Sequence, residues 1–191
     1  MNPPRGLPAL ARLAARSAAC TATMRARGIT TTGLVRCDGL LPALHTGGTV
    51  RLGAQLSLRA VTGRVELGAH PGGTLTIGDR VFVNQGASIV ATTSIEIGDD
   101  VHVGDLVGIA DTDHHAVDHL TAVRTAPVVV EHHAWIGRAA TLLPGAHVGA
   151  HAVIGAGAVV TGAIPPGVLA LGVPARPVRD LAPARPGWRR A

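Results

Sequence analysis

Aromatic residues are nearly missing from this 191-residue chain: they make up 2%, with one Phe, two Trp and no Tyr. Cores of ordinary shape use aromatic side chains to fill volume. With 47% hydrophobic residues the chain has ample core material, so its interior must be narrow and lined by small aliphatic side chains. Lysine is also absent, and every one of the 17 basic residues is Arg. Without Lys or Tyr almost nothing titrates between about pH 9 and 12, so the isoelectric point near 11.1 overstates the basicity of a chain with net charge +5. Those Arg residues sit mostly at the two ends and no aromatics interleave them, which argues against a nucleic-acid partner. Two cysteines, Cys20 and Cys37, are too few for a disulfide framework and lack a metal-type spacing. No apolar run approaches the ~20 residues of a membrane span. Arg12 and Arg16 interrupt the Leu-rich start too often for a signal-peptide core. The reading is of a cytoplasmic protein without stable membrane insertion.

What is present is a six-residue rhythm. Val130, Ile136, Leu142, Val148, Ile154 and Val160 recur at that interval, and Ala134, Ala140, Ala146, Ala152 and Ala158 follow four positions after an aliphatic. Gly137, Gly149 and Gly155 directly follow three of the aliphatics. A helix would place residues six apart on opposite faces, and a single strand of this length far exceeds the usual run of about 3–10 residues. Short strands joined by tight turns fit both facts. Three of them close a triangular coil of about 18 residues, and stacked coils bury one another's interiors. The aliphatic points inward from each flat face, and the small residue fills the corner. The middle of the chain repeats the theme through Ile77, Val83, Ile89 and Ile95. It then slips by two and restarts at Ile97, Val103 and Ile109, while Leu52-Gly53 and Leu67-Gly68 look like degraded earlier turns. The expected fold is an all-β parallel β-helix over residues 49–175. Residues 1–48 precede it and 176–191 form a basic tail. In the first segment Leu7, Leu10, Leu13 and Ala14 share one helical face, which predicts a short helix capping the open first coil.

The rhythm stops after Ile109 and resumes at Val130. The intervening loop, 110–128, carries three His and three Asp within Asp111–His119. Function concentrates in such excursions from a regular scaffold, and a loop His can act as a general base near neutral pH.

The set formed by Trp135-Ile136-Gly137, the repeats that follow, Thr161-Gly162-Ala163-Ile164-Pro165-Pro166 and Gly172-Val173-Pro174-Ala175-Arg176 resembles the hexapeptide-repeat acyltransferases. The closest likeness is to the branch with galactoside, maltose, Nod-factor and polysaccharide O-acetyltransferases. The resemblance implies a left-handed coil, a homotrimer with active sites in the clefts between subunits, and acetyl-CoA as acyl donor with no metal required. The implied acceptor is a hydroxyl of a sugar or another small polyhydroxylated molecule. It also implies His115 as the base, because His115-Ala116-Val117-Asp118 fits the family pattern better than His114 does. Asn84 stands where the family has an Asn that orients the acceptor. Trp135 walls the pantetheine channel, and a backbone N–H at Gly137 or Arg138 is the candidate oxyanion donor. Ala158 and Thr161 lie along the coenzyme's path, with Arg176 and Arg179 as phosphate contacts. Family members often carry Lys where this chain has Gly162, so one phosphate contact is missing.

Two other readings stay open on sequence. A zinc β-helix of the γ-carbonic anhydrase type would use His114 and His119, whose spacing suits two ligands of an open site. A non-catalytic β-helix scaffold would need no loop His at all. Transfer to an amine is a close variant of the main reading, since an amine also needs deprotonation.

Overall fold

The structure is a computed structural model, and residues 6–183 are described. Among the described residues, twenty-one strands and one helix build three sheets, parallel except for one closing hairpin, that form the faces of a triangular prism. The first face stacks Thr30–Thr31, Thr49–Leu52, Thr74–Ile77, Ser94–Ile97, Val128–Val130, His147–Val148 and Ala163–Ile164. The second stacks Arg36–Gly39, Ser57–Ala60, Phe82–Val83, His102–Val103, Trp135–Ile136, Val153–Ile154, Val168–Leu171 and Arg176–Asp180. The third stacks Ala43–Thr46, Glu66–Ala69, Ser88–Ala91, Gly108–Ala110, Thr141–Leu142 and Val159–Val160. The chain visits the faces in that order on every coil, so each strand pairs with the strand one coil later. The fold is a parallel β-solenoid of about six turns.

The six-residue aliphatics do what their spacing predicts. Val130, Ile136, Leu142, Val148, Ile154 and Val160 are buried on successive faces, and Ala134, Ala140, Ala146, Ala152 and Ala158 are buried between them. The slip of two residues also has a structural cause. Strands on the first face are longer in the middle coils, so Leu75 with Ile77, and Ile95 with Ile97, both point inward. Corner glycines are dictated by stacking. A Cβ on Gly137 would lie 2.6 Å from the Ile154 carbonyl oxygen and 2.8 Å from the Ala156 nitrogen.

Two boundaries differ from expectation. Coiling begins at Thr30, ahead of residue 49, because Arg36–Gly39 and Ala43–Thr46 already pair with the next coil. Their residues keep the inward alternation, with Cys37 fully buried, but lack the six-residue repeat. At the other end Arg176–Asp180 is a strand, antiparallel to Val168–Leu171, so the solenoid closes with a hairpin where a tail was expected. Of that tail, residues 184–191 lie outside the described part.

The N-terminal helix, Leu7–Ala26, covers the first coil, but not through the leucine face. Leu7 is 84% exposed and Leu10 47%, whereas Ser17, Cys20, Thr21 and Met24 are buried. The reason is polar. The first coil has no preceding coil to accept its N–H groups, and buried donors must be paired. The Val35 N–H donates to Thr21 Oγ1 at 2.9 Å, and the Cys37 N–H donates to Ser17 Oγ at 3.1 Å. Those hydroxyls donate in turn to helix carbonyls. The cap is selected by hydroxyls at helical spacing, a signal that a search for apolar stripes passes over.

Candidate active site

The excursion leaves the third face after Ala110, and its root is rigid. Asp111 is fully buried. Its carboxylate accepts the Thr92 N–H at 2.8 Å on one oxygen. The other oxygen accepts the Thr93 N–H at 2.6 Å, the Thr93 hydroxyl at 2.9 Å and the Ser94 N–H at 2.7 Å. Asp111 therefore locks the loop to the corner of the preceding coil. Above it the two limbs pair: Thr112 bridges Thr125, the Asp113 N–H donates to Arg124 O, and the Ala126 N–H donates to Asp111 O. The Arg124 guanidinium donates to the Pro144 carbonyl at 2.6 Å, tying the return limb to the following coil.

This stem presents the histidines. His114 takes a positive φ of 58°, with its N–H on Thr112 Oγ1. Its ring meets His70 edge-on at 6.1 Å, and His70 meets His45 at 5.8 Å. His45 Nε2 lies 2.7 Å from Glu66 Oε1, while Ser88 Oγ donates to Glu66 Oε2 at 2.6 Å. The Ser88 hydroxyl, then His45, hold the Glu66 carboxyl below the usual carboxylate range. His114 thus stands at the end of a column of histidines along this edge, with the Thr92 corner of one coil between it and His70. His115 is exposed, fixed by its own N–H to Asp113 O at 2.7 Å. Asp118 caps the loop's tip, accepting from the Thr121 hydroxyl and the Leu120 and Thr121 amides, which lower its pKa. Sequence reading missed His45, His70, Glu66 and Ser88, because only coil stacking brings residues so far apart in the chain onto one edge.

The other expected site residues fall elsewhere. Asn84 sits at the corner between the second and third faces, its side-chain oxygen accepting the Gln85 N–H. One chain therefore does not bring Asn84 to the loop corner. Trp135 lies on the outer side of the second face, 45% exposed, in the ladder that runs Phe82, His102, Trp135, Val153, Leu169. Leu169 is opposite Arg179 and Leu171 opposite Arg176, so both arginines lie on the edge strand above Trp135, exposed. Ala158 is a buried corner residue and Thr161 is exposed. The Gly137 N–H is engaged, donating to Ile154 O at 2.8 Å in the ladder. That removes Gly137 as an oxyanion donor and leaves the Arg138 N–H. At Gly162 a side chain would meet nothing within 4 Å, so the missing Lys reflects no steric bar.

Comparison with known proteins adds to this geometry. Residues 127–162 match the family model described as bacterial transferase hexapeptide (six repeats), and residues 74–104 match the hexapeptide repeat of succinyl-transferase. The galactoside O-acetyltransferase of Escherichia coli K12 is 34% identical over 113 residues, covering 58% of this chain and 56% of that protein. The galactoside O-acetyltransferase of Lactococcus lactis is 34% identical over 114 residues, covering 58% and 55%. In its repeats and in these relatives the chain resembles the hexapeptide-repeat acetyltransferases. The chain spans little more than half the length of those two relatives. Among solved structures, AntD, an N-acyltransferase from Bacillus cereus in complex with dTDP and coenzyme A, superposes with TM-score 0.64 at 14% identity, covering 81% of this chain and 83% of that one. The hexapeptide-repeat acetyltransferase VCA0836 of Vibrio cholerae, complexed with acetyl coenzyme A, gives 0.60 at 24% identity, covering 85% and 79%. Both share the solenoid.

Proposed function

We propose that this protein transfers an acyl group, the acetyl group of acetyl-CoA, to a hydroxyl of a sugar or another small polyhydroxylated acceptor. The observation that carries the reading is the pinned loop, which holds two histidines out from a family scaffold. A loop His removes the acceptor's proton as its oxygen attacks the thioester carbonyl. The tetrahedral oxyanion takes a donor from the Arg138 N–H. The C–S bond then breaks, and the CoA thiolate leaves and takes up a proton. Transfer is direct, since the loop offers no Cys or Ser beside His115 and Cys20 and Cys37 are buried. Family pattern points to His115 as the base, but the braced ring favours His114: a base acts best where its orientation is fixed. His115 then serves at the mouth of the site.

Coenzyme binding fits the second face. Trp135 and Arg179 share one ladder column three strands apart, about 14 Å at the usual strand spacing. An extended pantetheine arm spans that length, placing the phosphates at Arg176 and Arg179, whose guanidinium forks suit them. Asn84 reaches an acceptor only from a neighbouring copy, which supports a homotrimer with intersubunit sites. Val117, 89% exposed, and Leu120, 82% exposed, support it too, as apolar loop side chains that a second copy would cover. No helix among the described residues is long and apolar enough to cross a membrane, in keeping with the cytoplasmic assignment proposed for the chain.

The test is free-thiol release from acetyl-CoA across a panel of sugars, for the parent chain, His114→Ala and His115→Ala. Acceptor-dependent release, cut 100-fold or more (about 3 kcal/mol of barrier) by His114→Ala and less by His115→Ala, is expected. Release unchanged in both variants would overturn the mechanism.

A further inference from the structure

A second cluster of histidines lies at another corner of the prism, where the first face turns into the second. The left-handed residues of successive turns form a column there: Gln55, Arg80, Asp100, His133 and His151, with φ between 56° and 61°. Backbone bonds fix their spacing: Asp100 N–H to Asp79 O, His133 N–H to Asp99 O, and His151 N–H to His132 O. His133 and His151 thus stack one coil apart, their ring centroids 4.7 Å from each other, and His132 stands edge-on to both at 5.3 Å. One ring nitrogen from each of the three lies within 4.8 Å of the others. The loop histidines belong to a different corner, between the third and first faces.

We propose that His132, His133 and His151 form a binding site for a borderline divalent transition metal, with zinc as the type case. Three observations converge. First, the ligand set is right: imidazoles suit Zn²⁺, Ni²⁺ and Cu²⁺, and three of them with an open fourth position make a recognised zinc arrangement. Bonds of 2.0–2.1 Å place tetrahedral nitrogens about 3.4 Å apart, so the present nitrogens, within 4.8 Å of one another, need to close by at most about 1.4 Å. Second, His133 Nδ1 is buried with no hydrogen-bond partner. A buried polar atom left this way calls for an explanation. A cation among the rings supplies one, either by taking that nitrogen or by turning it toward Asp100, whose carboxylate lies 3.9 Å away. Carboxylates in that relation orient metal-bound imidazoles. Third, the surroundings are acidic. Arg80 is paired with Asp100 at 2.7 Å and lies near Asp79 and Asp99, so three carboxylates share one guanidinium. That residual negative charge compensates a dication bound by neutral ligands. The occupied site would staple two consecutive coils and take no part in acyl transfer.

Equilibrium dialysis of the full chain against ZnCl₂, with the metal counted after desalting, tests this. One zinc per chain is expected, and Co²⁺ in its place should give the intense visible bands of a tetrahedral site. His133→Gln and His151→Asn are the diagnostic variants. Gln55 already occupies the same left-handed corner, and Asn tolerates that conformation, so both should fold, as circular dichroism will verify. Each should weaken binding at least tenfold and abolish the rise in thermal midpoint that zinc gives the parent. His45→Gln, on the loop corner, serves as control. Less than 0.2 zinc per chain, or equal weakening by His45→Gln, would show adventitious surface binding and overturn the site. The acetyl-transfer assay, run after chelation, reads the other proposal separately.

Discussion

Asp111 is the residue on which the loop's geometry depends most, and removing its carboxylate should be measurable in two places at once. The side chain is fully buried and receives three backbone N–H groups and one hydroxyl from Thr92, Thr93 and Ser94. A hydrogen bond to a charged acceptor contributes about 1.5–3 kcal/mol. Four such bonds do not simply add, and Thr93 is exposed, so water can replace part of what is lost. Asp111→Ala should therefore cost about 3–4 kcal/mol. Asp111→Asn keeps one oxygen, and placed toward Thr93 and Ser94 it retains three of the four donors. Its cost should be about 1–2 kcal/mol, one lost partner plus the charge.

A solenoid can lose coils locally, so a global denaturation midpoint alone would blur the effect. Amide hydrogen exchange gives the local value. Thr92, Thr93, Ser94 and Ala126 should lose about 100-fold of their protection in the alanine variant, with amides of the Val130–Val160 coils unchanged. Acetyl transfer should fall in parallel, because the stem that carries His114 opens. Unchanged exchange at those four amides, or asparagine and alanine variants equally damaged, would refute the assignment of the carboxylate as the lock.

Other perturbations give sharper single readouts. The Glu66 and Glu131 carboxyls are held below their ordinary range, Glu66 by the Ser88 hydroxyl and then His45, Glu131 by His147 and then the Ala150 amide. A lowered folded pKa contributes stability that is complete above the unfolded value of about 4.3 and is lost as pH falls through the folded one. Glu66→Gln should flatten that acid limb in pH-dependent thermal melts by lowering the neutral plateau toward the acid value, which itself should change little; an unaltered limb would contradict the shift. Ile136→Ala, at a fully buried position, should lose about 3–4 kcal/mol in urea titration. Gly137→Ala should lose at least about 2 kcal/mol, since its Cβ meets a ladder carbonyl that cannot move alone; a neutral result would mean the corner is looser than its contacts indicate.

How much of this was readable beforehand follows from the range over which each feature is encoded. The interior from Val130 to Val160 was legible because every coil obeys one local rule, and a strand with inward-facing aliphatics needs no distant partner to be recognised. The earlier coils were legible only in fragments. Cys37 and Leu44 occupy core or core-facing positions, yet nothing repeats around them, and their place is set by pairing with Leu58 and Leu67. The cap was legible as a helix but not as a face. Its contact is made by Ser17 and Thr21 with backbone donors, and hydroxyls at helical spacing look like surface.

The sites share a stronger limit. A coil returns to the same edge only after a full turn, and the loop lengthens one such return, so His45, His70 and His114 become neighbours through stacking alone. The same holds for Arg80, Asp100, His133 and His151 on the other corner. Composition shows ten histidines, and sequence shows some in pairs, but which of them share an edge depends on the length of every intervening coil. A loop His is visible because it interrupts the rhythm. The residues that brace it, and a metal site that leaves the rhythm intact, are visible only once the coils are counted in space. Inserting one extra residue into the coil between His133 and His151 should therefore abolish zinc binding without removing any histidine, whereas the same insertion at the exposed tip of the loop should leave it intact.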